Sequence, residues 1–251
     1  MSLTSGLYLI YISTLAGLAT TCGALFLMIL GEPPDSVFTL ILGGAAGIML
    51  SVVTLDLLPA SLFFQQPRQF FLGLAAGIFF MYLTEKIINH LQQLKNRHSA
   101  AGCSRLKGLG FLMAAGIALH DLPEGMAIAA GQETTSALGL LIALGIALHN
   151  LPEGMAIAAP LLLAKLPKKK IVLLNLGLSL FTPLGALFGL GALAVFETII
   201  PFLLASAAGA MVYMALNGLL PLARKRSPRL ALIGSVLGYL LFMLILFLLP
   251  H

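Results

Sequence analysis

Long apolar runs separated by short polar segments make up most of the chain. Eight of these runs are as long as the roughly 20 residues that a helix needs to cross the hydrocarbon core of a bilayer. They lie at about 6–31, 37–59, 69–90, 108–131, 137–163, 169–191, 197–220 and 230–249. The pattern predicts an all-α polytopic membrane protein with eight transmembrane helices, which we number spans 1 to 8.

The composition supports this prediction. Hydrophobic residues make up 59% of the 251 residues, charged residues only 9%, and the mean hydropathy is +1.04. Soluble domains carry roughly 25% charged residues. The sequence contains no P-loop, dinucleotide-binding or zinc-finger motif, which argues against nucleotide-driven chemistry.

Lysine and arginine predict how the spans are oriented. All but one of the 14 basic residues lie in or beside the loops between spans 3 and 4, 5 and 6, and 7 and 8; the exception is Arg68. These three loops share one side of an eight-span protein, and the positive-inside rule assigns that side to the cytoplasm. We therefore expect both termini outside, in the plasma membrane (the cell inner membrane). The net charge of +5 then reflects orientation, and no nucleic-acid partner is expected.

An almost perfect repeat occupies spans 4 and 5. The segment GIALHDLPEGMAIAA at 116–130 recurs at 145–159 with one difference: Asp121 of the first copy is replaced by Asn150 in the second. Because consecutive spans cross in opposite directions, the repeat is inverted. A weaker similarity relates Ala45–Leu62 of span 2 to Ala207–Arg224 of span 7. Inverted repeats are typical of transporters, with the binding site at the repeat interface.

These repeats predict a single transmembrane transporter domain covering 1–251 with a 3+2+3 arrangement. A first three-helix unit (1–90) precedes a central metal-binding helix pair (108–163), and a second, inverted three-helix unit (169–251) follows.

The repeated motif places four ionisable side chains near the bilayer midplane. His120 and Glu124 are four residues apart and share a helix face, as do His149 and Glu153. A carboxylate at this depth costs at least about 2.5–3.5 kcal/mol, and no lysine or arginine lies near the middle of any predicted span. We therefore expect a divalent metal cation to supply the missing positive charge. The alternative is a purely structural kink, in which these histidines and glutamates satisfy the backbone groups freed by the prolines of the motif. Two imidazoles and two carboxylates suit Zn²⁺, and also Cd²⁺, Fe²⁺, Mn²⁺ and Co²⁺.

Other polar residues have two interpretations each. Asp121 and Asn150 either form a second metal site, with Glu124 and Glu153 as shared ligands, or orient the imidazoles. Asp56, near the outer end of span 2, either attracts cations at the entrance or accepts a hydrogen bond at a helix end.

Three further features concern the helices themselves. Glu85 of span 3 either joins an exit relay for the cation or pairs with a basic neighbour at the membrane interface. The prolines of the repeated motif, Pro123 and Pro152, are predicted to kink spans 4 and 5. Three GxxxG pairs, at 73/77, 185/189 and 234/238, are predicted to pack inside the bundle rather than against a second copy.

With LHDLPEG and LHNLPEG in spans 4 and 5 of eight, the sequence resembles the ZIP (Zrt/Irt-like) family of divalent metal transporters, in its prokaryotic GufA/ZupT-like branch. The Leu-Leu-Pro ends of spans 2 and 7 and the Pro-Leu-Gly of span 6 extend the resemblance over the whole chain. It implies transport toward the cytosol, a binuclear centre between spans 4 and 5, and a homodimer. Thr182 stands where related members have a glutamate, and Asn217 and Gly218 stand where span 7 often ends in a carboxylate; both departures weaken the second site.

The sequence therefore predicts transport of divalent transition-metal cations, zinc foremost, by alternating access. The metal is then a transported substrate rather than a catalytic cofactor, and we do not expect the protein to be an enzyme. Two alternatives use the same residues. A membrane-embedded hydrolase would activate water on the metal. However, HExxH is absent from the sequence, and the inward carboxylates are already assigned as ligands, which leaves no obvious additional general base. A cation or proton channel is disfavoured, because ligation by four side chains slows ion release.

Metal affinity is expected to fall on acidification. Histidine binds a metal when neutral and glutamate when ionised, so protons compete with the cation at this site. Zinc titrations of the purified protein between about pH 7 and about pH 5 will show a weakening affinity. An affinity that stays constant over this range would argue against histidine ligation.

Overall fold

The computed structural model of the protein describes residues 3–31, 34–96, 102–195 and 199–248. Regular structure in these ranges is helical throughout, and eight segments are long and apolar enough to cross a membrane. They are Ser5–Ile29, Asp35–Phe63, Pro67–Ile87, Leu106–Thr134, Ser136–Leu163, Lys168–Val195, Ile200–Arg224 and Pro228–Leu248. The prediction of an all-α, eight-span membrane protein is confirmed. Arg97, counted among the basic residues of the loop between spans 3 and 4, lies outside the described residues.

Five spans are single α-helices, and three are interrupted. Spans 1, 3, 4, 5 and 8 are the helices Leu3–Leu30, Pro67–Asn96, Gly102–Thr134, Ser136–Leu163 and Pro228–Leu248. Span 6 consists of two helices, Lys168–Leu178 and Phe181–Val195. Spans 2 and 7 each contain a π-helical segment between two α-helices: Asp35–Val52, Val53–Leu57 and Leu58–Phe63, and Ile200–Tyr213, Met214–Leu219 and Leu220–Arg224.

The two π-helical segments occupy matching positions in spans 2 and 7. Each ends at the first leucine of a Leu-Leu-Pro sequence, whose prolines are Pro59 and Pro221. A proline has no N–H for the carbonyl four residues earlier, so regular α-helical bonding is already lost there. Spans 4 and 5, in contrast, run as continuous helices through Pro123 and Pro152. The π-helical segments therefore lie in spans 2 and 7, outside the repeated motif. The kinks at Pro123 and Pro152 stay a prediction.

The eight spans pack as two groups of four. In one group, spans 1 and 4 each pack against spans 5 and 6. In the other, span 2 packs against spans 7 and 8, and span 3 packs against span 7. The main contacts between the groups join span 2 to span 5 and span 4 to span 7. Spans 4 and 5, which carry the repeated motif, thus belong to one group and face the other.

Glycines allow the helices of each group to approach closely. A methyl group at Gly23 would overlap the carbonyl oxygen of Leu151, and one at Gly47 would overlap that of Ser235. The three predicted GxxxG pairs behave in the same way. The pair at 73/77 packs on span 7, that at 185/189 on span 4, and that at 234/238 on span 2. The prediction that these pairs pack inside the bundle is confirmed.

Contacts between the loops place three of them at one end of the bundle. Arg226, after span 7, forms an ion pair with Asp35 at the start of span 2, with 2.7 Å between Nη1 and Oδ1. Lys168, at the start of span 6, donates from Nζ to the carbonyl of Met28 near the end of span 1, at 3.3 Å. Large apolar side chains such as Phe79 and Phe247 are exposed on the sides of the bundle, as expected for surfaces that meet lipid.

Replacing a packing glycine by alanine is expected to destabilise the bundle. The added methyl groups of Gly23→Ala and Gly47→Ala would meet backbone carbonyls that cannot rotate away, and overpacking of this kind costs about 1–3 kcal/mol. Thermal unfolding in detergent will show a lower Tm for both variants. Gly177→Ala is the matched control, because no heavy atom lies within 4 Å of the added methyl group. A Gly177→Ala protein as unstable as the other two would contradict this account of the packing.

Candidate metal centre

Side chains from the repeated motif meet where spans 4 and 5 pack together. His120, Glu124 and His149 are each fully buried, and each places one potential ligand atom within 4.8 Å of the others. His120 and Glu124 meet because residues four apart lie one turn above each other on a helix. His149 reaches them from the neighbouring span. The structure thus brings three of the four residues predicted for the first site into one cluster.

Glu124 lies at the centre of this cluster. Its Oε1 accepts a hydrogen bond from Nε2 of His149 at 2.8 Å and lies 2.9 Å from Nε2 of His120. The contact with His120 is close but lacks the alignment of a hydrogen bond. In the part of the chain that the structure describes, Glu124 Oε2 has no hydrogen-bond partner. One carboxylate oxygen therefore faces two imidazole nitrogens, while the other is available to a ligand.

The fourth predicted residue, Glu153, is fully buried beside this cluster. Its charge interacts electrostatically with His149, His120 and Glu124, although its oxygens are outside the close group of three. Within residues 3–31, 34–96, 102–195 and 199–248, neither carboxylate oxygen of Glu153 has a hydrogen-bond partner. A buried carboxylate with no partner is costly unless something else neutralises it.

The two residues proposed for a second site are also fully buried. Asp121 interacts electrostatically with Glu124 and Glu153, and its carboxylate oxygens have no hydrogen-bond partner among the described residues. Asn150 donates from Nδ2 to the backbone carbonyl of Ala16, at 3.1 Å. Its amide therefore links span 5 to span 1, which leaves only the carbonyl oxygen of the side chain for a cation. The second site stays a prediction.

Span 1 contributes buried polar residues that the sequence reasoning did not consider. Thr21 and Ser179 form a hydroxyl–hydroxyl hydrogen bond of 2.8 Å between spans 1 and 6. Thr20 and Thr182 are fully buried, and neither hydroxyl has a hydrogen-bond partner in the described part of the chain. The Thr-Thr pair in the middle of an apolar run was the available sequence signal. Only the fold shows that these hydroxyls belong to helices that pack against the glycines of the repeated motif. Span 1 packs against Gly154, and span 6 packs against Gly125.

Asp56 and Glu85 lie away from the cluster. Asp56 is in the π-helical segment of span 2, only 6% exposed, and its Oδ2 has no hydrogen-bond partner among the described residues. Glu85 of span 3 accepts a hydrogen bond from the hydroxyl of Tyr213 in span 7. The neighbouring Lys86 lies over the ring of Tyr82.

The composition of the cluster indicates what it binds. Its donors are imidazole nitrogens and carboxylate oxygens, which suit Zn²⁺ and similar divalent ions. Among the residues whose side chains the structure describes, no lysine or arginine is buried. A buried charge without a partner is strongly unfavourable, and a cation from outside the chain is the partner that this donor set suits. The fold and this donor set define a multi-pass membrane protein with a candidate site for a divalent metal ion.

Comparisons with known proteins agree with this class. The family model described as ZIP Zinc transporter matches residues 90–246. Zinc transporter ZupT of Chlorobium phaeovibrioides is 35% identical over 95% of this chain and 96% of its own length. The protein of the same name from Chlorobium luteolum is 36% identical over the same shares. The one from Enterobacter sp. is 32% identical over 86% of this chain and 87% of its own length. The chain belongs to the ZIP family.

Neutralising Glu124 is expected to weaken zinc binding more than neutralising Glu153. Glutamine keeps the shape of the side chain but removes the charge, and Glu124 is the carboxylate that touches both imidazoles. Loss of one charged ligand will lower the zinc affinity of Glu124→Gln by more than about 100-fold, beyond the 10–100-fold typical of residues that only support ligands. Calorimetric zinc titration of both variants in detergent will measure the difference. A larger loss in Glu153→Gln would contradict the central place given to Glu124.

Proposed function

We propose that the protein transports divalent transition-metal cations, zinc foremost, across the membrane toward the cytosol. The observation that carries the proposal is the buried cluster of His120, Glu124 and His149, built from two helices that cross in opposite directions. Membership of a family of zinc transporters supports the same substrate class. The donor set also suits Cd²⁺, Fe²⁺, Mn²⁺ and Co²⁺, which we include as substrates.

In this proposal the cation binds first to His120, Glu124, His149 and Glu153. Glu153 has both oxygens available, and a small shift toward the imidazoles would complete a set of four donors around a tetrahedral ion. A second cation would use the carboxylate of Asp121 and the side-chain carbonyl of Asn150, with Glu124 and Glu153 shared. At this second position, Thr182 offers only a neutral hydroxyl. The second position would therefore bind its cation more weakly than the first.

The packing of the helices supports the inverted 3+2+3 repeat. In such a repeat, span 1 corresponds to span 6, span 2 to span 7, span 3 to span 8, and span 4 to span 5. The contact between spans 1 and 5 is then equivalent to the contact between spans 6 and 4. The contact of span 2 with span 8 becomes that of span 7 with span 3. Both pairs of equivalent contacts are present, and so is the pair that joins the two groups, span 2 with span 5 and span 7 with span 4. The matched π-helical segments follow the same relation.

Alternating access follows from the two-group packing. All the predicted first- and second-site residues lie on spans 4 and 5, within the group of spans 1, 4, 5 and 6. A displacement of this group against spans 2, 3, 7 and 8 would carry the site from one side of the membrane toward the other. Cavities of about 290 Å³ and 820 Å³ already separate parts of the two groups.

We also propose the orientation expected from the basic loops. The loops after spans 1, 5 and 7 share one end of the bundle, and we assign that end to the cytoplasm and both termini to the outside of the plasma membrane. Asp56, buried in span 2 with one oxygen lacking a partner among the described residues, would attract cations at the outer entrance. A homodimer, implied by the family resemblance, completes the proposal.

Zinc influx into proteoliposomes tests the proposal. Wild-type protein reconstituted around a fluorescent zinc indicator is expected to show saturable influx. Glu124→Ala removes the carboxylate that contacts both imidazoles and should abolish this influx. Glu133→Ala is the matched control, because it removes an exposed glutamate from the end of the same helix. It should transport like the wild type.

Two outcomes would contradict the proposal. Equal influx through Glu124→Ala and wild-type protein would remove the site from the transport path. Zinc binding by wild-type protein without any influx would instead favour the metal-dependent hydrolase that the same ligands allow.

A further inference from the structure

A cavity of about 290 Å³ lies between spans 3, 4 and 7. Gly116 lines it from span 4, one helical turn before His120, so the cavity reaches to within about 6 Å of the site along the helix axis. Lys225, beyond the end of span 7, also lines it. The cavity therefore extends from near the buried cluster to the end of the bundle that carries the basic loops.

The wall from span 7 is its π-helical segment, Met214–Leu219. Segments of this kind widen a helix locally and are frequent at functional sites. Here the segment contributes the side chain of Asn217 and the sulfur-bearing side chain of Met214 to the cavity.

Three methionines line this cavity, one from each span. They are Met81 of span 3, Met113 of span 4 and Met214 of span 7. Thioethers are soft, neutral ligands that favour polarizable cations, and the unbranched methionine side chain reorients easily. Among the described residues of the lining, the carboxylate is that of Glu85. The hydroxyl of Tyr213 donates to Glu85, which fixes the carboxylate where two of the spans meet.

The corresponding cavity on the other side of the central helix pair has a different lining. It measures about 820 Å³ and lies between spans 1, 2, 5 and 8. Among the described residues that line it, none is charged, and the sulfur-bearing side chains are those of Met155 and Cys22. Methionines and a carboxylate are thus not a general feature of the gaps between the two groups of spans. They occur in the gap that leads from the site toward the basic loops.

We infer that the cavity between spans 3, 4 and 7 is a further binding position for the transported cation, separate from both positions between spans 4 and 5, in which Met81, Met113, Met214 and Glu85 favour soft divalent ions such as Cd²⁺ over hard ions such as Mn²⁺. The inference rests on the proposed transport function and adds a position on the path to the cytosol. A cation leaving two carboxylates and two imidazoles would next meet one carboxylate and neutral thioethers. Weaker ligation at this position favours release, because an ion must leave a conducting path as readily as it enters.

Competitive uptake tests the inference. The ratio of Cd²⁺ to Mn²⁺ influx is measured in proteoliposomes for wild type and for the triple variant Met81→Leu, Met113→Leu, Met214→Leu. Leucine conserves the volume and removes the sulfur. We expect the ratio to fall about tenfold, the change produced by a difference of about 1.4 kcal/mol in binding. Met243→Leu, on the exposed face of span 8, is the matched control and should keep the wild-type ratio.

Oxidation footprinting gives a readout that needs no transport. Purified wild-type protein is treated with hydrogen peroxide, and methionine sulfoxide at each position is measured by mass spectrometry. Bound Cd²⁺ is expected to protect the cavity methionines, while Met243 oxidises equally with and without the ion. Mg²⁺, which binds oxygen ligands, should protect none of them.

The outcomes separate this inference from the proposed function. Uptake of none of Zn²⁺, Cd²⁺ and Mn²⁺ by wild-type protein would overturn the transport proposal itself. Uptake of both Cd²⁺ and Mn²⁺, with the same ratio in the triple variant and in Met243→Leu, would overturn the thioether position alone. A lowered ratio together with Cd²⁺ protection of the cavity methionines would support it.

Discussion

The rest of the structure depends on placing carboxylates and imidazoles inside a membrane, with no lysine or arginine among the side chains that the structure shows as buried. Each charged group near the bilayer centre costs at least about 2.5–3.5 kcal/mol, and Glu124 and Glu153 are both fully buried. In the function that we propose, a divalent cation that is bound and released resolves this constraint. Donors must then converge from more than one helix, which the antiparallel packing of spans 4 and 5 achieves. An inverted repeat supplies the same donors from both directions.

The packing around this pair keeps the site rigid and leaves space beside it. Gly154 lies against the backbone of span 1, and Gly125 against that of span 6, so each half of the motif is held by one outer helix. Hydrogen bonds from Asn150 to Ala16 and between Thr21 and Ser179 join the same helices. The second group of spans touches the pair at fewer places, and both cavities lie along that boundary. Rigid ligation within one group and open space between the groups are the features that a moving binding site needs.

Much of this arrangement was readable from the sequence, because lipid leaves a chain few alternatives. Apolar run length predicted the eight helices, and the four-residue spacing predicted that His120 and Glu124 would meet. The duplicated motif predicted that His149 would join them. Helix-to-helix distances cannot be read in this way, so the sequence did not show that Glu153 lies outside the close group of three. Nor did it show that Asn150 bonds to span 1, or that Thr20 and Thr21 lie beside the motif, since both depend on which helices become neighbours.

The central claim is that one cation binds between spans 4 and 5 through ligands from both, and X-ray absorption spectroscopy of the protein loaded with one equivalent of Zn²⁺ tests it most directly. The account predicts a first shell of nitrogen and oxygen atoms at about 2.0–2.2 Å, with the outer scattering of two imidazoles and no sulfur. Glu124→Gln should lose this signal, whereas Glu133→Ala should keep it. A first shell containing sulfur, or one without imidazole scattering, would contradict the account.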